Sequence, residues 1–104
     1  MLRITSTGEV SVVLTVSGEV DLATAGEVTD AIEAALRAPG TESVEVNLTE
    51  VSFLDSSGLR ALVAGQKRAE EAGKRLVVSD PQPQVRKVME ITGLSEVLTA
   101  EGSP

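Results

Sequence analysis

Apolar and polar residues alternate in two stretches near the start of the chain, which predicts two β-strands. The first stretch spans residues 1–6 and the second spans residues 10–17. Gly8 lies between them, where a tight turn is expected, so the two strands should pair as an antiparallel hairpin. Residues 18–21 (GEVD) are predicted to close the second strand.

Apolar residues recur at every third or fourth position in three later segments, which predicts three helices. The predicted helices are residues 24–38, residues 56–72 and a third from residue 81 to a stop signal at residues 92–94. Thr24 and Glu27 give the first helix a capping-box pattern, and Leu22 with Val28 would add a hydrophobic staple. Asp80 is predicted to cap the third helix, with proline at its first position.

Two further apolar segments, residues 43–48 and residues 75–79, predict the third and fourth strands, and Val97-Leu98 is a candidate edge strand. Because helices separate the second, third and fourth strands, these should pair in parallel with right-handed crossovers. The prediction is therefore an α/β fold with a mixed sheet of four to five strands packed with three main helices. We expect one domain over residues 1–99 and a frayed tail at residues 100–104.

The composition excludes several classes of protein. Phe53 is the one aromatic residue among 104, and the chain contains no His, Cys, Trp or Tyr. Without His or Cys there is no thiolate nucleophile, imidazole base or typical zinc or haem ligation, so neither a metal nor a cofactor is expected. The net charge of −7 disfavours nucleic acid and anionic membranes. With no signal segment and no membrane-spanning run, the expected location is the cytoplasm.

Polar residues follow three of the predicted strands: Asp21 follows the second, residues 55–58 (DSSG) follow the third and residues 79–80 follow the fourth. If these strands are parallel, all three groups lie at the carboxyl edge of the sheet, where α/β proteins place functional side chains. Ser56 starts the second helix, where free backbone N–H groups and the helix dipole would stabilise a phosphate. The structural alternative makes Asp55 and Asp80 N-cap residues and gives Asp21 only turn amides to satisfy.

Catalytic interpretations of these residues lack partners. A nucleophilic serine has no His, and no Gly-x-Ser-x-Gly motif surrounds Ser56 or Ser57. A paired-carboxylate hydrolase using Asp21 and Asp55 would have little cleft for a sugar in a small chain with one aromatic residue. No glycine-rich phosphate loop is present either. We therefore expect a protein that is not an enzyme.

Several segments resemble those of a known family, in the same order along the chain. Residues 53–59 (FLDSSGL) resemble the hallmark segment of the bacterial anti-sigma factor antagonists, a STAS-domain family, and residues 18–21 resemble its Gly-Glu-apolar-Asp turn. Residues 74–78, 85–88 and 92–94 resemble its closing pattern. The resemblance covers almost the whole chain and implies a single STAS domain.

The resemblance implies a regulatory protein that changes partners. In this family the unmodified antagonist binds an anti-sigma factor, itself a serine kinase of the GHKL ATPase type, and so releases a sigma factor for transcription. The kinase phosphorylates the serine directly after the aspartate, which is Ser56 here, and a metal-dependent serine phosphatase reverses the reaction. The resemblance also assigns Asp21, Asp55, Ser57 and Gly58 to the partner-binding surface together with Ser56.

Other functions remain open beside this one. An adaptor that docks constitutively in a stress-signalling or lipid-transport assembly would have the same domain and would never switch. A nucleotide-binding module that uses helix N-termini as phosphate sites is a third interpretation, with fewer features in its favour. Homodimerisation through the first strand is also open. Arg60 stands where several relatives have a small residue, which is a departure from the family's pattern at the partner surface.

Overall fold

The structure is a computed structural model, and it describes residues 2–91. Within that range the elements are β1 (Arg3–Thr7), β2 (Ser11–Val20), α1 (Ala25–Arg37), β3 (Ser43–Leu54), α2 (Ser56–Glu71), β4 (Arg75–Ser79) and α3 (Pro83–Ile91). The strands form one sheet in the order β1-β2-β3-β4. β1 pairs antiparallel with β2, while β2, β3 and β4 pair in parallel, so the predicted α/β fold with an N-terminal hairpin is confirmed. The candidate strand at residues 97–98, the stop signal at residues 92–94 and the tail at residues 100–104 lie outside the described residues.

The helices pack on one face of the sheet because each strand of the parallel part buries alternate residues. In β2 the buried residues are Val12, Leu14, Val16 and Val20, and they join buried residues of all three helices in one hydrophobic cluster. Right-handed crossovers in both βαβ units place α1 and α2 on the same side. None of the helices described in residues 2–91 has the length and apolar character that crossing a bilayer requires. The opposite face of the sheet is polar, with a row across its four strands at Thr5, Thr15, Asn47 and Ser79.

β3 continues past its predicted end at Leu48 as far as Leu54. Beyond Leu48 its buried residues are Val51 and Leu54, a spacing of three that a regular strand cannot place on one face. Two bulges absorb the difference, and at each of them β3 uses one residue more than β2. The bulges keep the apolar series on the helix side, so the loss of alternation after Leu48 marks an irregular strand.

β2 also runs further than predicted and includes residues 18–20 of the segment that was expected to close it. Gly18 has a φ of +114°, which glycine adopts without the steric cost that a side chain would add. It lies at the second bulge, so this glycine marks a bulge within the strand instead of its end. As a result β2 and β3 end side by side, at Val20 and Leu54.

The connection after β4 covers the outer edge of β3, and α3 begins two residues later than predicted. Asp80 does not cap α3, because it has a φ of +50° and turns the chain before the helix starts. The side-chain amide of Gln82 donates to the carbonyl of Thr49 over 2.8 Å, and that of Gln84 donates to the carbonyl of Ser52 over 2.6 Å. These two side chains take the place of a neighbouring strand where β3 extends beyond β4.

Candidate functional site

β2 and β3 bring Asp21 and Asp55 to one edge of the sheet. Val20 and Leu54 are register partners in parallel strands, and the backbone N–H of Asp55 donates to the carbonyl of Val20 over 3.1 Å. Each aspartate directly follows one of these partners along the chain. The structure therefore brings together two of the three groups that the sequence placed at this edge.

The third group, residues 79–80, does not join them. Ser79 pairs with Asn47 of β3, which is level with Thr15 of β2. Thr15 precedes the end of β2 at Val20 by five residues. At about 3.3 Å per residue, β4 ends roughly 16 Å short of the site. The expectation that three strand ends converge is wrong, because the irregular extensions of β2 and β3 have no counterpart in β4.

Asp55 is the N-cap of α2. Its Oδ1 accepts hydrogen bonds from the backbone N–H of Ser57 over 2.8 Å and of Gly58 over 3.2 Å. Its carbonyl accepts a hydrogen bond from the N–H of Leu59 over 3.1 Å. The cap fixes where the helix begins, so Ser56 is its first residue. It also uses the amides of Ser57 and Gly58, which were expected to be free for an added phosphate.

Ser56 presents its hydroxyl at the surface beside this cap. The residue is exposed, whereas Ser57 is half-buried. Within residues 2–91 neither serine hydroxyl has a hydrogen-bond partner, and the backbone N–H of Ser57 donates to Asp55. The two serines differ in exposure, and Ser56 is the one whose free hydroxyl group belongs to an exposed residue.

Asp21 organises the turn between β2 and α1. Its Oδ1 accepts hydrogen bonds from the backbone N–H of Ala23 over 3.0 Å and of Thr24 over 3.1 Å. The Thr24 hydroxyl accepts from the N–H of Asp21 over 2.9 Å and donates to the carbonyl of Glu19 over 2.9 Å. Thr24 has helical backbone angles and makes no side-chain cap, so the predicted capping box is wrong. Its side chain points back into the turn and fixes Asp21 instead.

Two large apolar side chains are exposed beside these aspartates. Leu22, in the turn after Asp21, is 82% exposed, and Phe53, near the end of β3, is 48% exposed. Leu22 therefore does not form the predicted staple with the buried Val28. Neither side chain was predicted to belong to the site. The spacing of apolar residues in β3 could have indicated that Phe53 is exposed, because Phe53 falls outside the series of residues that the bulges keep buried.

Gly58 lies beneath the surface and supports it. A Cβ at this position would come within 2.8 Å of side-chain carbons of both Leu54 and Val20, a separation that Cβ atoms do not adopt without displacement of the neighbour. Glycine therefore allows the first turn of α2 to rest directly on the ends of β2 and β3. Gly58 is buried, so its contribution to the site is to hold Ser56 and Asp55 against the sheet edge.

Comparison with known proteins identifies the family. The family model described as "Mlab, STAS domain" matches residues 4–99, and the chain belongs to the STAS-domain family. An anti-sigma-B factor antagonist from Staphylococcus epidermidis is 32% identical over 83 residues, which cover 80% of this chain and 76% of that relative. The resemblance found in the sequence is thus confirmed.

Solved structures have the same fold. The crystal structure of an anti-sigma factor antagonist from Mycobacterium paratuberculosis has a TM-score of 0.77 and 29% identity, covering 94% of this chain and 83% of the other. The anti-sigma factor antagonist SpoIIAA in its unphosphorylated form has a TM-score of 0.79 and 24% identity, covering 99% and 92%. SpoIIAA of Bacillus in its phosphorylated form has a TM-score of 0.71 and 24% identity, covering 99% and 96%.

Replacing Gly58 by alanine should destabilise the domain, because the added methyl group must displace Leu54 or Val20 in a packed region. We expect a loss of about 1–3 kcal/mol in the free energy of unfolding, the usual cost of overpacking. Urea denaturation followed by circular dichroism measures it. Gly26→Ala is the matched control, since a Cβ there meets nothing within 4 Å. Because Gly26 lies in the first turn of α1, that variant should gain at most about 0.5–1 kcal/mol, the helix-propensity difference in a helix interior. Equal effects at the two positions would contradict this role of Gly58.

Proposed function

We propose that this protein is an anti-sigma factor antagonist, switched by phosphorylation of Ser56. The unmodified protein binds a cytoplasmic anti-sigma factor that is also a serine kinase of the GHKL type, and a sigma factor is released. The kinase transfers the γ-phosphoryl group of ATP to the Ser56 Oγ, and a metal-dependent phosphatase removes it. The relative from S. epidermidis is named for antagonism of this kind, and SpoIIAA has a phosphorylated form.

The observation that carries the proposal is the position of the Ser56 hydroxyl. It is exposed and without a partner in residues 2–91, at the first residue of a helix whose start is fixed by Asp55. A kinase can approach such a hydroxyl without unfolding the helix. The positive end of the helix dipole favours the negative charge that the reaction adds. Modification is therefore compatible with the fold.

Phosphorylation would act on the partner-binding surface. A phosphate adds about −1.5 to −2 charge at a place that already carries the carboxylates of Asp21 and Asp55. Burying this group in an interface costs free energy unless the partner supplies matching cations. A loss of about 3 kcal/mol weakens a complex more than a hundredfold. We expect the switch to work by charge and steric exclusion at the surface.

The geometry around Ser56 is compatible with a constitutive adaptor and gives less support to a nucleotide-binding module. A constitutive adaptor would use the same edge of the sheet. The description of the family model that matches the chain, "Mlab, STAS domain", does not mention antagonism of an anti-sigma factor. Such an adaptor differs from our proposal in one respect, since Ser56 would then never be phosphorylated. A nucleotide-binding module has less support, because Asp55 occupies the amides of Ser57 and Gly58 that would hold a phosphate.

Incubation with ATP and a GHKL-type kinase from the same genome should add one phosphate to the native chain, measured as an increase of about 80 Da in intact mass, the mass of HPO₃. Ser56→Ala should remain unmodified, because the acceptor oxygen is absent. Ser57→Ala is the control and should be phosphorylated like the native chain. A native chain that binds these kinases but is never modified would favour the constitutive adaptor.

Phe53 and Leu22 should anchor the anti-sigma factor, because exposed apolar side chains beside a polar centre are typical of binding energy concentrated in few residues. We expect Phe53→Ser to weaken binding about tenfold or more, measured by isothermal titration calorimetry. Val10→Ser is the control, since Val10 is 53% exposed at the opposite end of β2. It should change the affinity less than twofold. Equal losses of affinity from both substitutions would show that Phe53 is not a specific anchor of the interface.

A further inference from the structure

Arg60 is an exposed cation on α2, one helical turn after Ser56. No ion pair is formed by it within residues 2–91, whereas Arg37 and Arg68 both pair with Glu33. The positions three and four residues away on α2 hold Ser56, Ser57, Val63 and Ala64, none of which is acidic. Arg60 therefore has an uncommitted guanidinium on the same helix as the candidate phosphorylation site.

The helix geometry directs Arg60 toward Ser56. Residues four apart lie on the same face of a helix, with Cβ atoms about 5–6 Å apart. The Cα–Cβ bonds of a helix tilt toward its N-terminus, so a long side chain covers the turn that precedes it. The guanidinium of Arg60 can therefore reach a group attached to the Ser56 oxygen without any change of the backbone.

The cap limits which other groups can receive a phosphate on Ser56. Asp55 already accepts the hydrogen bonds of the Ser57 and Gly58 amides, and the Leu59 amide donates to the Asp55 carbonyl. Three donors of the first turn are thus committed in the unmodified protein. The two neighbouring carboxylates repel the phosphate. A guanidinium, which binds phosphate oxygens through two parallel N–H groups, is the complementary partner that this part of α2 offers.

We propose that Arg60 binds the phosphate of phosphorylated Ser56 within the same chain. This inference rests on the proposed phosphorylation of Ser56. It adds a second consequence to the switch, because the modified surface gains an anion and at the same moment loses the cation that was available to a partner. Arg60 is then a positioning residue, which holds the phosphate against the outer face of α2.

The test uses the full chain with phosphoserine incorporated at position 56 during translation, so that no kinase is needed. The second pKa of the phosphate, about 6 in a free phosphoserine, is measured by ³¹P NMR titration. Asp21 and Asp55 face the phosphate from the neighbouring strand end and the cap, and they are present in every variant. Their repulsion therefore cancels when variants are compared.

Arg60→Gln should raise this pKa by about 0.15–0.4 relative to the native sequence, the size expected for a residue pair four apart on an exposed helix. Arg60→Lys should restore part of the difference, and 1 M salt should shrink it. Arg75→Gln is the control for net charge, because Arg75 is exposed at the opposite end of the sheet. It should leave the titration unchanged.

Identical titrations for the native sequence and Arg60→Gln would overturn the proposal, as would an equal change in Arg75→Gln. The proposed function fails in a different experiment, the incubation with ATP and kinase, if no GHKL-type kinase modifies the native chain. The ³¹P measurement does not depend on that result. The two ideas can therefore fail separately.

Discussion

The parallel pairing of β2 with β3, carried through two bulges to the ends of both strands, is the constraint on which the site depends. The register partners Val20 and Leu54 fix where Asp21 and Asp55 emerge, and the hydrogen bond from the Asp55 amide to the Val20 carbonyl holds the last pair together. Gly58 then allows α2 to begin directly on these two strand ends. The contacts between β2 and β3 join residues far apart in the sequence, and together with the start of α2 they hold the exposed hydroxyl of Ser56 at a fixed place.

Both carboxylates of the site have a structural role, because each accepts hydrogen bonds from the backbone next to it. Asp21 accepts hydrogen bonds from the turn that leads into α1, and Asp55 accepts those of the first turn of α2. A residue that ties down its own backbone presents a rigid surface, which reduces the conformational entropy lost when a partner binds. The functional and the structural interpretation of these aspartates are therefore compatible. Because of the same hydrogen bonds, the amides of Ser57 and Gly58 are not free to bind a phosphate on Ser56.

Most of the fold and part of the site could be predicted from the sequence. Regular alternation in β2 and helical spacing in α1 and α2 are local signals, and they gave the right elements in the right order. The extension of β3 could not be predicted in this way, because a bulge is defined by the partner strand and leaves only a spacing of three in the sequence. The role of Thr24 was missed for a similar reason, since its hydroxyl is used by Asp21 and Glu19 in a turn and not by the helix it precedes. The exposure of Phe53 follows from the same bulges, so the apolar part of the surface could be identified only once the register of β2 and β3 was known.

The central claim is that Ser56 can carry a phosphate on an unchanged scaffold, so that regulation acts through the surface. Comparison of ¹⁵N–¹H correlation spectra of the chain with serine and with phosphoserine at position 56 tests it most directly. We expect large amide shifts confined to the turn at residues 21–24 and the first turns of α2, with the remaining resonances of α2 and the sheet in place. Shifts throughout α2, or loss of its dispersed resonances, would show that phosphorylation moves or melts the helix, so that regulation would not act through the surface alone.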